Sequence, residues 1–250
     1  MLKKNFKLDF AIIGVQKAGT TALHSFLSQH PKIQFGKVKE LHYFDDNDLF
    51  DERNNELNNA QLKNNFSKSL FNFKKLKGDA TPITVFYPNS LARLKNHNPS
   101  IKILLILRNP IERAFSHWKM ETQKEKESLS FSEAIEKEES RIKSDFGFRT
   151  YSYKTRGLYS EQIERLLNLF PKEQILIKTS EDLKHKHNET IRDVLSYLNL
   201  EIMDIPKEIV HEGIQDRIDT KSKQFLIDFF TNDIIKTEAL INLNLSDWLK

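Results

Sequence analysis

The feature that most constrains the fold is the stretch FAIIGVQKAGTTALHSFL at 10–27. It opens with a short apolar run typical of a buried strand, passes through a turn that contains Gly14 and Gly19, and continues as a helix from Thr20. A glycine-bearing turn between a strand and a helix N-terminus directs backbone N–H groups towards one point, where the helix dipole also favours an anion. Lys17 adds a positive charge to this turn. The stretch therefore predicts a phosphate-binding loop in an α/β fold.

The position of the lysine distinguishes this loop from that of the nucleoside triphosphatases. Gly14 and Gly19 have the separation of the pattern G-x-x-x-x-G-K-[ST], but a threonine stands where that pattern has lysine. Such a loop is poorly suited to hold β- and γ-phosphates with magnesium. It suits a 5′-phosphate, with the lysine near an oxygen that bridges this phosphate to a departing group. The predicted phosphate-binding residues are Lys17, Ala18, Gly19, Thr20 and Thr21.

Strands and helices alternate along the chain. Buried strands are predicted at 8–14, 101–107 and 174–178, with a weaker one at 73–79. This alternation favours a P-loop-type three-layer α/β/α fold with a mostly parallel central sheet. Helices are predicted at 20–29, 88–96, 110–126, 130–143, 159–169, 187–198 and 221–240.

Two kinds of polar segment are expected at the surface. Residues 45–65 are rich in asparagine and are expected to form an excursion with one short helix. Segments 119–127 and 133–143 carry dense mixed charge, which favours exposed helical faces.

A second strand-to-helix junction lies at IKILLILRNPIERAFSHW, 101–118. Asn109 is a good N-cap, the proline after it suits the first helical position, and Glu112 falls where a capping box has its carboxylate. Arg108 ends the strand at the carboxyl edge, where open α/β sheets bind ligands. Ser116 lies two turns into the helix. Both residues are candidates to bind one anion.

These two junctions resemble the nucleotide site of a known family. GVQKAGTT is similar to the 5′-phosphosulfate loop of sulfotransferases that use 3′-phosphoadenosine 5′-phosphosulfate (PAPS), and R-N-P-x-x-R-x-x-S is similar to their 3′-phosphate site. The similarity is greatest to bacterial members that share a domain with the heparan-sulfate sulfotransferases. It implies PAPS as co-substrate, Arg108 and Ser116 as ligands of the 3′-phosphate, and one sulfotransferase domain over 1–250 without a metal. Arg113 is expected to be an ion-pair partner at a helix surface or core edge.

KELHYFD, 39–45, resembles the K-E-x-H-F-F-D segment of the heparan-sulfate branch, in which the glutamate is the proposed catalytic base. That position is Glu40 here, and His42 follows at a spacing that places both side chains on one face of an extended chain. Either group could accept the proton of the acceptor, and the sequence does not decide between them. GDATPITVFYP, 78–88, resembles another family segment, with Ala80 where the eukaryotic heparan-sulfate enzymes carry a lysine.

The implied reaction is in-line sulfuryl transfer to a hydroxyl or amine, with Lys17 neutralising charge on the departing phosphate oxygen. Two alternatives stay open: a kinase-like nucleotide phosphotransferase with a deviant loop, which the position of Lys17 disfavours, and a non-catalytic nucleotide-binding protein, which Glu40 disfavours. The branch resemblance favours a carbohydrate or glycoconjugate acceptor. A glycolipid, a small metabolite or a tethered biosynthetic intermediate also fits the sequence.

Composition limits the other classes of protein to which the chain could belong. A chain of 250 residues, 38% of them hydrophobic, suits one large domain, and its net charge of +4 suits anionic ligands without indicating nucleic-acid binding. The absence of cysteine excludes disulfides and thiolate chemistry, and the eight histidines lack a zinc-site spacing. Apolar runs such as 103–107 are too short to span a bilayer, and 1–10 lacks the apolar run of a signal peptide. We therefore expect a cytoplasmic protein. The oligomeric state is not readable, and the nucleotide contacts of 211–220 stay undefined.

Overall fold

The apolar runs form one parallel sheet in the computed structural model, which describes residues 6–50, 55–67, 75–207 and 217–250. The strands are β1 (Phe10–Gly14), β2 (Ile33–Phe35), β3 (Leu76–Asp79), β4 (Lys102–Leu107) and β5 (Ile175–Thr179). They lie in the order β2-β3-β1-β4-β5, and each of the four pairings is parallel.

Both faces of the sheet are covered. On one face, Leu23 and Val194 line a small cavity over β4 together with Leu104 and Ile106. Val85 and Leu105 both lie close to Gly14 of β1, where a Cβ atom would come within 2.5 and 3.0 Å of them. This burial explains why β1 and β4 are almost continuously apolar. The predicted α/β fold with a mostly parallel central sheet is confirmed.

Eleven helices are present in the described part of the chain. They are α1 (Thr20–Ser28), α2 (Asn55–Asn64), α3 (Ser90–His97), α4 (Pro110–Gln123), α5 (Phe131–Glu136), α6 (Glu138–Arg141), α7 (Asp145–Tyr151), α8 (Tyr159–Leu169), α9 (Ser180–His185), α10 (His187–Tyr197) and α11 (Thr220–Ile241). None of them combines the length and the apolarity that crossing a membrane requires.

The chain divides into two compact units. The first comprises Met1–Leu107 and Arg165–Val210, and the second comprises Arg108–Glu164 and His211–Lys250. The whole sheet belongs to the first unit, as do α1, α3, α9 and α10. The expectation of one domain over 1–250 stays a prediction.

The second unit contains buried charge that the sequence did not predict. Arg113 is fully buried and donates to the backbone carbonyl of Tyr153, so its expected place at a helix surface or core edge is wrong. Glu127 is buried and holds Arg141 by two contacts of 2.7 and 3.1 Å. Glu138 is also fully buried. The prediction that 119–127 and 133–143 form exposed faces is therefore wrong at Glu127 and Glu138. These carboxylates can be buried because guanidinium and backbone N–H groups donate to them.

Candidate active site

The loop after β1 leads into the N-terminus of α1, where the first backbone N–H groups lack intrahelical acceptors. Val15 donates its N–H to Ile106 O at 2.7 Å, which fixes the start of the loop to β4. The first helical bond of α1 runs from Leu23 N–H to Gly19 O at 3.0 Å, so the N–H groups before it have no intrahelical acceptor. Gly19 is the N-cap and supplies no side-chain cap. An anion at this helix end would satisfy these donors.

Gly19 is required by its backbone conformation. Its φ of 95° lies in the left-handed region, where a side chain is strained. A Cβ atom at this position would also lie 3.3 Å from Leu183 Cδ2 of α9. This conformational requirement for glycine holds without any ligand.

The five predicted phosphate-binding residues occupy one turn. Ala18 is fully buried and Thr20 is 4% exposed, whereas Thr21 is exposed and Lys17 is half-buried. Lys17 has a φ of 73°, a second left-handed residue in the same loop. Two such residues within three positions fold the loop back on itself, which is the geometry that gathers N–H groups around an anion.

Glu40 and His42 meet directly. His42 Nε2 lies 3.4 Å from Glu40 Oε2, and His42 Nδ1 lies 2.9 Å from Asp45 Oδ2. Lys39 Nζ contacts the other Glu40 oxygen at 2.6 Å. The segment is not extended, because His42 has a φ of 50°. The predicted proximity of Glu40 and His42 is therefore present, but a left-handed turn produces it.

This cluster of opposite charges shifts the pKa values of its members. Hydrogen bonds to Asp45 and Glu40 raise the pKa of His42 to about 9 against the opposing effect of burial. Burial alone would raise the pKa of Glu40, but hydrogen bonds from His42 and Lys39 lower it to about 2. At neutral pH the imidazole is thus cationic and the Glu40 carboxylate is ionised.

The end of β3 lies against this segment. Asp79 Oδ1 accepts from Leu41 N–H, and Thr81 Oγ1 accepts from His42 N–H, both at 3.4 Å. Burial raises the pKa of Asp79 to about 6. Ala80, which stands at the lysine position of the related segment, is fully buried.

Sequence reasoning gave no role to four residues around the proposed base. Two of them, Lys39 and Asp45, lie in the segment 39–45 that resembles the heparan-sulfate branch. Their short spacing from Glu40 and His42 in the sequence could have indicated these contacts. The other two contacts come from a distant part of the chain, and no local pattern indicates them. These four residues are Lys39, Asp45, Asp79 and Thr81.

The second pair of predicted ligands belongs to the second unit. Arg108 donates to Glu112 Oε2 from Nε at 3.2 Å and from Nη2 at 2.9 Å. Asn109 caps α4 by accepting from Ile111 N–H, so the predicted helix start is correct. Glu112 pairs with Arg108, where the sequence suggested a capping box. Ser116 is half-buried one turn beyond Glu112, on the same side of α4.

Tyr159 fixes the backbone of Arg108 from within the same unit. Its hydroxyl donates to Arg108 O at 2.9 Å, while its own N–H donates to the buried carboxylate of Asp233 at 2.8 Å. Within the described ranges no group of three or more histidine and carboxylate side chains is placed to hold a metal ion. Of the 211–220 segment, residues 211–216 lie outside the described residues.

Comparison with known proteins identifies relatives over most of the chain. Membrane-associated sulfotransferase kil1 of Dictyostelium discoideum is 23% identical, covering 94% of this chain and 65% of that protein. Heparan sulfate glucosamine 3-O-sulfotransferase 5 of Mus musculus is 27% identical, covering 76% of this chain and 52% of that protein. The chain thus spans about half to two thirds of the length of these relatives.

Two solved structures share the fold. A sulfotransferase from Alicyclobacillus acidocaldarius is 31% identical with a TM-score of 0.81, covering 98% of this chain and 100% of that one. Mouse sulfotransferase SULT7A1, complexed with PAP, is 13% identical with a TM-score of 0.61, covering 93% of this chain and 86% of that one. The family model for the sulfotransferase domain matches residues 7–232. The chain therefore belongs to the sulfotransferase family.

Proposed function

We propose that this protein transfers a sulfuryl group from PAPS to a hydroxyl or amine of an acceptor. The observation that carries the proposal is the uncapped N-terminus of α1, where a left-handed Gly19 leaves several backbone N–H groups for an anion and Lys17 stands in the same turn. The match of residues 7–232 to the sulfotransferase domain also supports the proposal. The kinase-like alternative is not favoured.

Two groups of residues would bind the donor. The backbone N–H groups of Gly19, Thr20 and Thr21, with the hydroxyls of Thr20 and Thr21, would hold the 5′-phosphate, whereas the N–H of Ala18 donates to Val15 O at 3.2 Å. Arg108 and Ser116 would hold the 3′-phosphate, the group that distinguishes PAPS from ATP. PAP, the desulfated product of PAPS, is bound in the mouse structure of the same fold, which supports this choice of donor.

The transfer would proceed in line. The acceptor oxygen or nitrogen forms a bond to sulfur while the bond between sulfur and the bridging phosphate oxygen breaks, and PAP leaves with the negative charge. Lys17 would stabilise this charge as it develops, which is where a fixed cation lowers the barrier most. The acceptor proton would pass to Glu40.

The charges in the cluster favour Glu40 over His42 as the base. His42, with a pKa of about 9, is already protonated at neutral pH and has no free position for another proton. Glu40 is ionised, and its low pKa makes it a weak base. It would therefore take the proton late, after the forming bond to sulfur has made the attacking group acidic.

A carbohydrate or glycoconjugate is the proposed acceptor. The support is the 3-O-sulfotransferase among the relatives, together with the resemblance of Lys39–Asp45 to the segment of the heparan-sulfate branch. Ala80 removes a cation that those enzymes carry, so this acceptor site has one positive charge fewer at that position. Cytoplasmic location stays a proposal from the sequence, beside a relative that is named membrane-associated.

The test is transfer of labelled sulfate from PAPS to a panel of desulfated heparan sulfate, chondroitin and simple glycosides. We expect a labelled product with the native enzyme. Lys17→Met and Glu40→Gln should each lower turnover by about a hundredfold or more, because each removes one charge used in the transition state. Donor affinity should change much less in Glu40→Gln. Near-normal turnover in Glu40→Gln would show that Glu40 is not the base. Failure of the native enzyme to transfer label to any acceptor, or to a cell extract, would refute the proposed sulfotransferase activity.

A further inference from the structure

We propose that Asp79 and Thr81 are positioning residues, which hold the backbone of the Glu40–His42 turn in the conformation needed for sulfuryl transfer. The inference rests on the proposed function, because it assumes that Glu40 is the base. It adds to that function a pair of buried groups that would touch neither the donor nor the acceptor.

The contacts run from backbone to buried side chains. Leu41 N–H donates to Asp79 Oδ1 and His42 N–H donates to Thr81 Oγ1, each at 3.4 Å. Asp79 is 3% exposed and Thr81 is 1% exposed. The Thr81 hydroxyl in turn donates to the Asp79 carboxylate, which also accepts from Ala80 N–H. The result is one hydrogen-bonded chain from His42 N–H through Thr81 to Asp79.

The turn needs such support because His42 is strained. A φ of 50° in a residue with a Cβ is unfavourable and persists only where neighbouring groups fix it. At His42 this conformation aims the imidazole between Glu40 and Asp45, at 3.4 and 2.9 Å. An extended backbone here would not produce the same arrangement. The N–H contacts at residues 41 and 42 are therefore the ones that set the orientation of Glu40.

The rigidity of β3 makes it a suitable anchor. Asp79 ends β3 and stands in register with Ala11 of β1, the strand that leads into the phosphate loop. Beyond Thr81 the chain is tied to β1 again, because Val85 N–H donates to Ile13 O at 2.9 Å. Asp79 and Thr81 therefore connect the base to the strand that leads into the loop carrying Lys17. We infer that they fix Glu40 relative to the phosphate loop.

The central experiment compares Thr81→Val with Thr81→Ser. Valine keeps the volume and removes the hydroxyl, whereas serine keeps the hydroxyl. We expect turnover in Thr81→Val to fall on the order of tenfold to a hundredfold, since small displacements of a catalytic group have effects of this size. Thr81→Ser should keep turnover close to that of the native enzyme. The affinity for PAP should be unchanged in both, because the phosphate loop is intact.

Two further readouts separate positioning from general destabilisation. Thr84, also buried in this segment, is the matched control: Thr84→Val removes a buried hydroxyl and should keep turnover. NMR of ¹⁵N-labelled histidine, with His42→Asn to assign the signal, should show the His42 pKa falling in Thr81→Val and unchanged in Thr84→Val. This signal does not need an active enzyme, so it distinguishes failure of this inference from failure of the proposed function.

Asp79→Asn provides a second variant should Thr81→Val not fold. It keeps the volume and one acceptor oxygen, and it should lower turnover and the His42 pKa in the same direction. The proposal is overturned if Thr81→Val or Asp79→Asn, when folded, keeps both native turnover and the native His42 titration. It is equally overturned if Thr84→Val matches the loss in Thr81→Val, because the effect would then be one of packing.

Discussion

Arg108 is held by a carboxylate of α4, the helix that follows it, and this sets how it can bind an anion. Its guanidinium shares two N–H groups with Glu112, whose side chain is 55% exposed. A phosphate at Arg108 must compete with this carboxylate or lie beside it. Glu112 therefore opposes binding of the proposed 3′-phosphate even though it orders the arginine.

Substitutions at these two positions should change donor affinity in opposite directions. Arg108→Ala removes a charge-assisted contact worth roughly 1.5–3 kcal/mol, so the Kd for PAP should rise on the order of tenfold to a hundredfold. Turnover at saturating donor should change little, since the 3′-phosphate is remote from sulfur. Glu112→Gln removes the competitor, and an exposed pair of this kind is worth about 0.2–1 kcal/mol. Its Kd should therefore fall, by up to about fivefold. Calorimetric titration with PAP measures both.

The chain offers a matched control for this pair. Arg149 and Asp145 form an ion pair at 2.9 Å with the same i,i+4 spacing and similar exposure. Arg149→Ala and Asp145→Asn should leave the Kd for PAP unchanged. A weaker affinity in Glu112→Gln would mean that Glu112 orients Arg108 for the ligand, and a normal Kd in Arg108→Ala would remove this arginine from the donor site.

His42 should make stability depend on pH on the alkaline side. Its pKa is raised in the folded protein to about 9 from an ordinary value of 6.5, because Asp45 and Glu40 accept from its ring. A raised pKa stabilises the folded state fully below 6.5, and this contribution is lost as pH rises through 9. The melting temperature of the native protein should therefore exceed that of His42→Asn at pH 6, and the difference should shrink by pH 9.5.

His185→Asn, at an exposed histidine of α9, is the control for the effect of a histidine-to-asparagine substitution as such. Glu40, the partner of His42, affects stability at acidic pH. Its pKa is lowered in the folded protein, so its contribution to the free energy of unfolding is lost as pH falls towards 2. A constant difference between the native protein and His42→Asn would show that the ring is not held as a cation.

At the scale of elements, the start of α1 depends on one glycine. Gly19→Ala puts a Cβ on a residue with a φ of 95° and places it 3.3 Å from Leu183. We expect a loss of about 1–2 kcal/mol in unfolding free energy and weaker PAP binding, because the loop must shift to relieve the strain. Thermal denaturation and PAP titration measure the two effects.

Asparagine at the same position separates the two causes. It carries the same Cβ but tolerates the left-handed region better than alanine. Gly19→Asn should therefore be less destabilised than Gly19→Ala if the backbone conformation dominates. In that case, adding Leu183→Ala to Gly19→Ala should restore little of the lost unfolding free energy. Full rescue by Leu183→Ala would show instead that the contact with α9 is the cause.

The elements predicted best were those with a strong local signal. β1, β4 and β5 are apolar runs buried on both faces, and α1 and α4 follow recognisable turn or cap residues. β2 was missed because three residues carry too little pattern. The predicted helix at 130–143 is divided into α5 and α6, with Lys137 between them, and α7 begins after a separate cap at Ser144.

The candidate site was predictable where its residues are neighbours in sequence. The phosphate loop and the proximity of Glu40 to His42 follow from short motifs. The left-handed turn at His42 does not, because Leu41 and His42 take their N–H acceptors from the segment at 79–81, 38 and 39 residues away. Contacts of that separation depend on the pairing of β3 with β1, which periodicity alone does not give.

For the whole molecule, donor choice is the decisive property, because the 3′-phosphate is the group that distinguishes PAPS from ATP. If Arg108 and Ser116 bind a 3′-phosphate, a ligand with phosphates on both the 5′ and 3′ positions must stabilise the protein more than one without the 3′-phosphate. PAP is such a ligand, and ATP with magnesium lacks the group that Arg108 would hold.

PAP should therefore raise the melting temperature strongly. At a concentration about a hundredfold above its Kd the stabilisation is about 2.7 kcal/mol, which for a chain of this length corresponds to roughly 5–10 °C. ATP with magnesium should give a small shift, and Arg108→Ala should reduce the PAP shift towards the ATP value. The comparison is made by thermal denaturation at matched ligand concentrations. Equal shifts with PAP and ATP would favour a phosphotransferase, and a PAP shift that is unchanged in Arg108→Ala would remove Arg108 from the donor site.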